Sequence, residues 1–163
     1  MSWAPLPSSR PYHWPLSGQW SAQDTALLII DMQQDFLSPH GYFAQMGYSL
    51  ASTQAAIEPT RSLLAGAREE GMLVIYTRES HRPDLMAQGI RNLLLCGVTT
   101  DVCVHSTLRE ANDLGYDCLL VEDCCGAGNA ELHQASIKMM MNEGGIFGAV
   151  AKQDDLIKLW RRA

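Results

Sequence analysis

The chain has 163 residues, of which 47% are hydrophobic and 18% charged, the composition of one globular domain with a substantial core. A net charge of −6 with no Lys/Arg run argues against a nucleic-acid partner, and no apolar run approaches the length of a membrane span. Five cysteines, an odd number with no C-x-x-C pair, argue against a disulfide scaffold or a zinc site. With no signal-peptide pattern at the start, the chain reads as a cytoplasmic protein.

Residues 1–24 are rich in Pro, Ser and Trp, lack periodicity, and read as an extended N-terminal arm. Trp3, Trp14 and Trp20 are unfavourable in water, so the arm is expected to pack on the domain or on a neighbouring subunit. Residues 25–163 form a single domain. Ala26 to Ile30 is a buried parallel-strand run ending at Asp31. Ser49 to Glu70 reads as a helix with Ile57, Leu64, Ala67 and the Arg61 stem on one face, stopped by Gly71. Met72 to Tyr76 is the second strand and Asn92 to Cys96 the third. Residues 101–114 make the helix after it, closed by Gly115. Asp117 to Val121 is the fourth strand and Asn129 to Asn142 a helix. After the Gly144-Gly145 break come a short strand, Ile146 to Val150, and a final helix, Asp154 to Arg161. Strands alternating with helices predict an α/β fold, a three-layer domain with a mainly parallel sheet flanked by helices.

One stretch does not fit this pattern. About fourteen residues, including Pro83, separate Thr77 from Asn92. A crossover between parallel strands needs a dozen or more residues, usually with a helix, and Leu85 to Gly89 offers barely one helical turn. A segment therefore reads as missing between Leu85 and Met86.

Two residues stand where chemistry is expected. Asp31 ends the first strand, and Cys103 falls in the first turn of the helix after the third. In an open parallel sheet the ligand crevice lies beyond the carboxyl ends of the strands, where both would sit. A thiol at a helix start meets unpaired N–H groups and the positive end of the dipole, which favour a thiolate. The same N–H groups can hold an oxyanion. Cys103 is thus either a nucleophile or a packed first-turn cysteine. Asp31 is either its general base or a cap of the following turn. Cys96, Cys118, Cys124 and Cys125 read as core residues. Glu79 and His81 have a spacing that could ligate a metal but lack further partners. His105 reads as a satisfied helix histidine. Glu143 sits at a helix end, where a carboxylate opposes the dipole unless a cation meets it.

Ile29-Ile30-Asp31-Met32-Gln33-Gln34-Asp35-Phe36 and Cys96-Gly97-Val98-Thr99-Thr100-Asp101-Val102-Cys103-Val104 resemble the first motif and the nucleophile motif of the isochorismatase-like cysteine hydrolases. The resemblance runs on through Glu122-Asp123-Cys124-Cys125-Gly126-Ala127 to Gly144-Gly145-Ile146-Phe147-Gly148. Thr77 to Asp84 and the Pro/Trp arm are similar to the biuret, triuret and related ureido-amide hydrolases. The resemblance implies a catalytic Asp, Lys and Cys, matched here by Asp31 and Cys103. It also implies a cis peptide between Val98 and Thr99 and an oxyanion hole from the N–H groups of Thr99 and Cys103. The Lys has no match, since Lys138, Lys152 and Lys158 all come too late in the chain. It would follow the segment absent between Leu85 and Met86. Phe36 is expected to wall the pocket. Glu143 stands where relatives carry a substrate-binding Gln, and a carboxylate there would favour a cationic, guanylurea-like compound over biuret. The implied activity is cysteine-dependent cleavage of a C–N bond in a small ureido compound with release of ammonia. No metal and no organic cofactor is needed, and the assembly is a homodimer or homotetramer. Two other readings are a nicotinamidase-type amidase using a metal at Glu79 and His81, and an inactive binding or assembly protein if the Lys-bearing segment is truly absent.

Overall fold

The buried apolar runs assemble into one sheet. A computed structural model describes residues 2–77 and 89–161 of the chain. Leu85, Met86, Glu79 and His81, with the readings that rest on them, lie outside the described residues. Strands β3 (Thr25–Ile30), β4 (Leu73–Thr77), β5 (Asn92–Val98), β6 (Asp117–Gly126) and β7 (Ala149–Ala151) form a five-stranded sheet in the order β4-β3-β5-β6-β7. Every pairing in it is parallel. All residues of β3 and β5 are buried, as strands covered on both faces must be. Their carboxyl ends, at Ile30 and Val98, therefore open on the same edge.

The helices flank this sheet. The expected long helix is two pieces, α3 (Ala51–Ala55) and α4 (Ile57–Glu69), and α4 buries Thr60, Leu63 and Ala67. Arg61 is not on that face; its guanidinium reaches out to Glu58 at 2.7 Å. The helix expected over 101–114 is a π-helical turn, Thr100–Val104, followed by α5 (His105–Asp113). Helix α6 (Ala130–Met141) starts at Asn129, whose side chain accepts from the N–H groups of Glu131 and Leu132. Helix α7 (Gln153–Trp160) ends the fold, and two four-residue helices, α1 (Gln34–Leu37) and α2 (Tyr42–Gln45), follow β3.

The arm is folded onto the domain. Its strands β1 (Ser2–Trp3) and β2 (Trp20–Ser21) pair antiparallel. Trp3, Trp14 and Trp20 are wholly buried, and Trp3 lies 4.6 Å from Trp20 and 6.3 Å from Trp160 between ring centroids. Arg10 exchanges backbone hydrogen bonds with Val150 of β7, 2.8 and 2.7 Å, and its guanidinium meets Glu122 at 2.8 Å. The arm thus covers the sheet edge that β7 would otherwise leave open.

Gly97 positions β5 against β3. It has φ +126°, and a Cβ there would overlap the backbone of Ile30. Gly97→Ala is therefore expected to lower the unfolding free energy by about 3 kcal/mol, measured by urea titration, because the added carbon meets backbone that cannot swing aside.

Candidate active site

The carboxyl edge of the sheet brings Asp31 and Cys103 together. Asp31 directly follows β3 in a left-handed conformation, φ +49°, and is only 8% exposed. Its Oδ1 accepts from Thr77 Oγ1 at 3.1 Å, and its N–H donates to the Thr77 carbonyl at 3.3 Å. The end of β4 therefore holds the carboxylate in place. Cys103 is half-buried on the π-helical turn just past β5. The Asp31 side chain lies close enough to raise the pKa of its thiol, and the backbone at Thr99 and at Cys103 itself acts to lower it. Thr99 follows a cis peptide after Val98. The Thr99 carbonyl accepts from the N–H groups of Val102 and Val104, at 3.2 and 3.1 Å.

The electrostatics reverse one expectation. A helix start was expected to favour the thiolate. In the structure, burial, the hydrogen bond to Asp31 and the Asp31 charge, in that order, push the Cys103 thiol above its ordinary range. The two backbone N–H groups pull the other way and lose. The resting site is a protonated thiol leaning on a carboxylate, poised to pass its proton across when the sulphur bonds elsewhere. The other four cysteines are buried, and burial lifts each of them well above neutrality, Cys118 and Cys125 to about 12.

Phe36 lies in α1, five residues past Asp31, but its half-buried ring turns to Phe43, 5.7 Å away and edge-on, and Phe43 stacks on Tyr48. A cleft of about 620 Å³ beside it is lined by Met32, Gln33, Asp35 and Ile57, among others. Phe36 does not line that cleft; it backs the α1–α2 wall.

Glu143 stands apart from the carboxyl edge within one chain. Helix α6 leaves β6 at the carboxyl edge and returns over about 18 Å to the start of β7. Glu143, in the turn after it, therefore lies at the amino edge, where neighbouring Gly145 and Ile146 line a cleft with Asp117 and Cys118 at the beginning of β6. Asp31 and Cys103 lie at the opposite edge of the same sheet. Of the three lysines, Lys138 is exposed near the end of α6, Lys158 lies on α7, and Lys152 stands three strands from β3, beside Asp123. None reaches the Asp31–Cys103 pair.

The sequence reading passed over His133. In the first turns of α6, its Nδ1 shares a 2.8 Å hydrogen bond with Oγ1 of Thr100, a residue with no exposed surface. The Asn129 cap was the available signal. It begins α6 at the carboxyl edge, which puts a residue one turn on beside the site. Among the described residues, no group of three or more His, Cys, Asp or Glu could hold a metal ion. No helix among them is long and apolar enough to cross a membrane.

This arrangement has counterparts. The Isochorismatase domain model matches residues 25–87 and again 84–152. The ureidoacrylate amidohydrolase RutB of Variovorax paradoxus is 25% identical over an alignment of 208 positions that takes in 84% of this chain and 81% of that protein. A cysteine hydrolase from Pseudomonas syringae pv. phaseolicola superimposes with a TM-score of 0.72 at 18% identity, covering 88% of this chain and 95% of the other. YcaC of Escherichia coli, described as an octameric hydrolase of unknown specificity, gives a TM-score of 0.69 at 18% identity over 88% and 82% of the two chains. With the family model matched across most of the described sheet, the chain belongs to the isochorismatase family of hydrolases.

Proposed function

We propose that this chain is a cysteine-dependent amidohydrolase acting on a small ureido compound. The observation that carries the reading is that Asp31 and Cys103 stand just past the carboxyl ends of neighbouring parallel strands, near enough for Asp31 to raise the pKa of the thiol. Kinship with proteins named as ureidoacrylate amidohydrolases supports the ureido class. As the sulphur attacks the carbonyl carbon, its proton passes to Asp31, and the oxyanion forms beside the N–H groups of Thr99 and Cys103. The C–N bond then breaks and Asp31 returns the proton to the departing nitrogen, releasing ammonia. Water attacks the thioester-like carbonyl with Asp31 again as base, the C–S bond breaks, and the thiol recovers its proton. Within one chain Glu143 stands at the other edge of the sheet, so its preference for a cationic compound would have to act from a second copy of the chain. Ureidoacrylate, biuret, guanylurea and nicotinamide, offered in parallel with ammonia as the readout, test the class. Turnover of at least one ureido compound and none of nicotinamide is expected; turnover of nicotinamide alone contradicts it. We also propose a cytoplasmic homo-oligomer, in keeping with the octameric neighbour.

A second reading has its own support. An alignment of 208 positions is longer than the chain itself, so the relative holds residues that this chain does not match. The two matches to the family model also meet at residues 84–87. Both observations favour an absent segment between Leu85 and Met86, and with it an absent Lys. The chain would then bind a ureido compound without turning it over. An intact mass of 18.0 kDa in a protein that releases no ammonia from the panel identifies this reading. Ammonia release by a protein of that mass rejects it.

A further inference from the structure

We propose that His133 is a positioning residue for the Cys103 sulphur, acting through Thr100. Thr99, Thr100 and Cys103 belong to one continuous turn. The Thr99 carbonyl is tied down by Val102 and Val104, and the backbone at Thr99 acts to lower the pKa of the Cys103 thiol. What sets the far side of that peptide is Thr100, whose side chain is wholly buried and bonded to a residue 33 positions on. The bond comes from α6, the helix that packs across the π-helical turn, and α6 is itself pinned at its start by Asn129. Burial lowers the pKa of the His133 ring, opposed by the charges of Glu122 on β6 and Asp101 on the turn. Glu122 is already engaged by Arg10. Near neutral pH the ring is thus uncharged, and either tautomer can complete the bond to the Thr100 hydroxyl. His133 has no contact with the sulphur. Its effect is to keep two N–H groups aimed at the atom that must carry negative charge.

This inference rests on the assignment of Cys103 as the reacting thiol, and its test needs no substrate. The readout is the alkylation rate of Cys103 by iodoacetamide against pH, followed by peptide mass. In His133→Ala and in Thr100→Val, which keeps the side-chain size, the two N–H groups lose their aim. The rate at pH 8 is expected to fall about fivefold, with the midpoint of the pH curve moving upward. His133→Asn places an oxygen close to the lost Nδ1 and is expected to restore the rate to within about twofold. The four buried thiols report the fold, because they label only when the chain opens. Curves for His133→Ala and Thr100→Val that superimpose on the unmodified protein overturn the proposal. So does labelling of all five thiols in both variants, which would make the bond a support of the whole fold. A protein that shows the His133 effect yet hydrolyses none of the ureido panel sinks the functional reading alone. Hydrolysis without the His133 effect sinks the positioning role alone.

Discussion

Cys103→Ala is expected to release no ammonia above background from any ureido compound that the unmodified protein hydrolyses, while its urea unfolding curve stays within about 1 kcal/mol of the original. The sulphur is half-buried, so its loss opens no large interior void. Every other thiol in the chain is enclosed and held protonated, so none can substitute for it. Cys103→Ser is expected to be as inactive. A serine hydroxyl is a far weaker acid than a thiol, so the Asp31 carboxylate draws its proton away far less readily. Ammonia release by either variant at a tenth of the original rate or more would remove Cys103 from the chemistry.

Asp31→Asn is expected to move two measurements in opposite directions. Hydrolysis falls by about 10²–10⁴-fold, because the amide can neither take the thiol proton nor return it to the leaving nitrogen. Alkylation of Cys103 becomes faster. The carboxylate raises the thiol pKa through its hydrogen bond and its charge, so removing it lets the backbone N–H groups of Thr99 and Cys103 pull the pKa down. The thiolate fraction at pH 7 then rises, by about tenfold for each unit of pKa removed. In the unmodified protein the alkylation midpoint lies above the ordinary thiol value of about 8.5, and in Asp31→Asn it lies lower. A purely structural Asp31, capping the turn after β3, would not produce a faster thiol in a slower enzyme. Slower alkylation in Asp31→Asn would show that the carboxylate helps to ionise the resting sulphur, contrary to the geometry.

The parallel sheet was legible because β3 and β5 are unbroken apolar runs that end abruptly at Asp31 and at Thr99. Those two ends also made the site legible, since any residue just past a parallel strand shares one edge with its neighbours. The sign of the Cys103 shift was not legible. It depends first on how far the sulphur is enclosed and then on how closely Asp31 approaches it, and neither leaves a mark in local sequence. The π-helical turn was hidden for a similar reason, being set by the Thr99 carbonyl taking two N–H groups at once. The arm strands β1 and β2 were missed because two-residue pairings have no periodicity; their stability comes from the tryptophan cluster. The position of Glu143 follows from the topology. A helix that begins where β6 ends must finish at the opposite edge, and Glu143 stands at that finish.

The most direct test of the Asp31–Cys103 site is the correlation between labelling and activity. The protein is treated with iodoacetamide for increasing times, and the fraction of Cys103 labelled is plotted against the hydrolysis that remains. One label per chain, confined to Cys103, with activity falling in proportion and with substrate slowing both, is the result predicted here. Full labelling of Cys103 in a protein that still hydrolyses its substrate at an undiminished rate would contradict it.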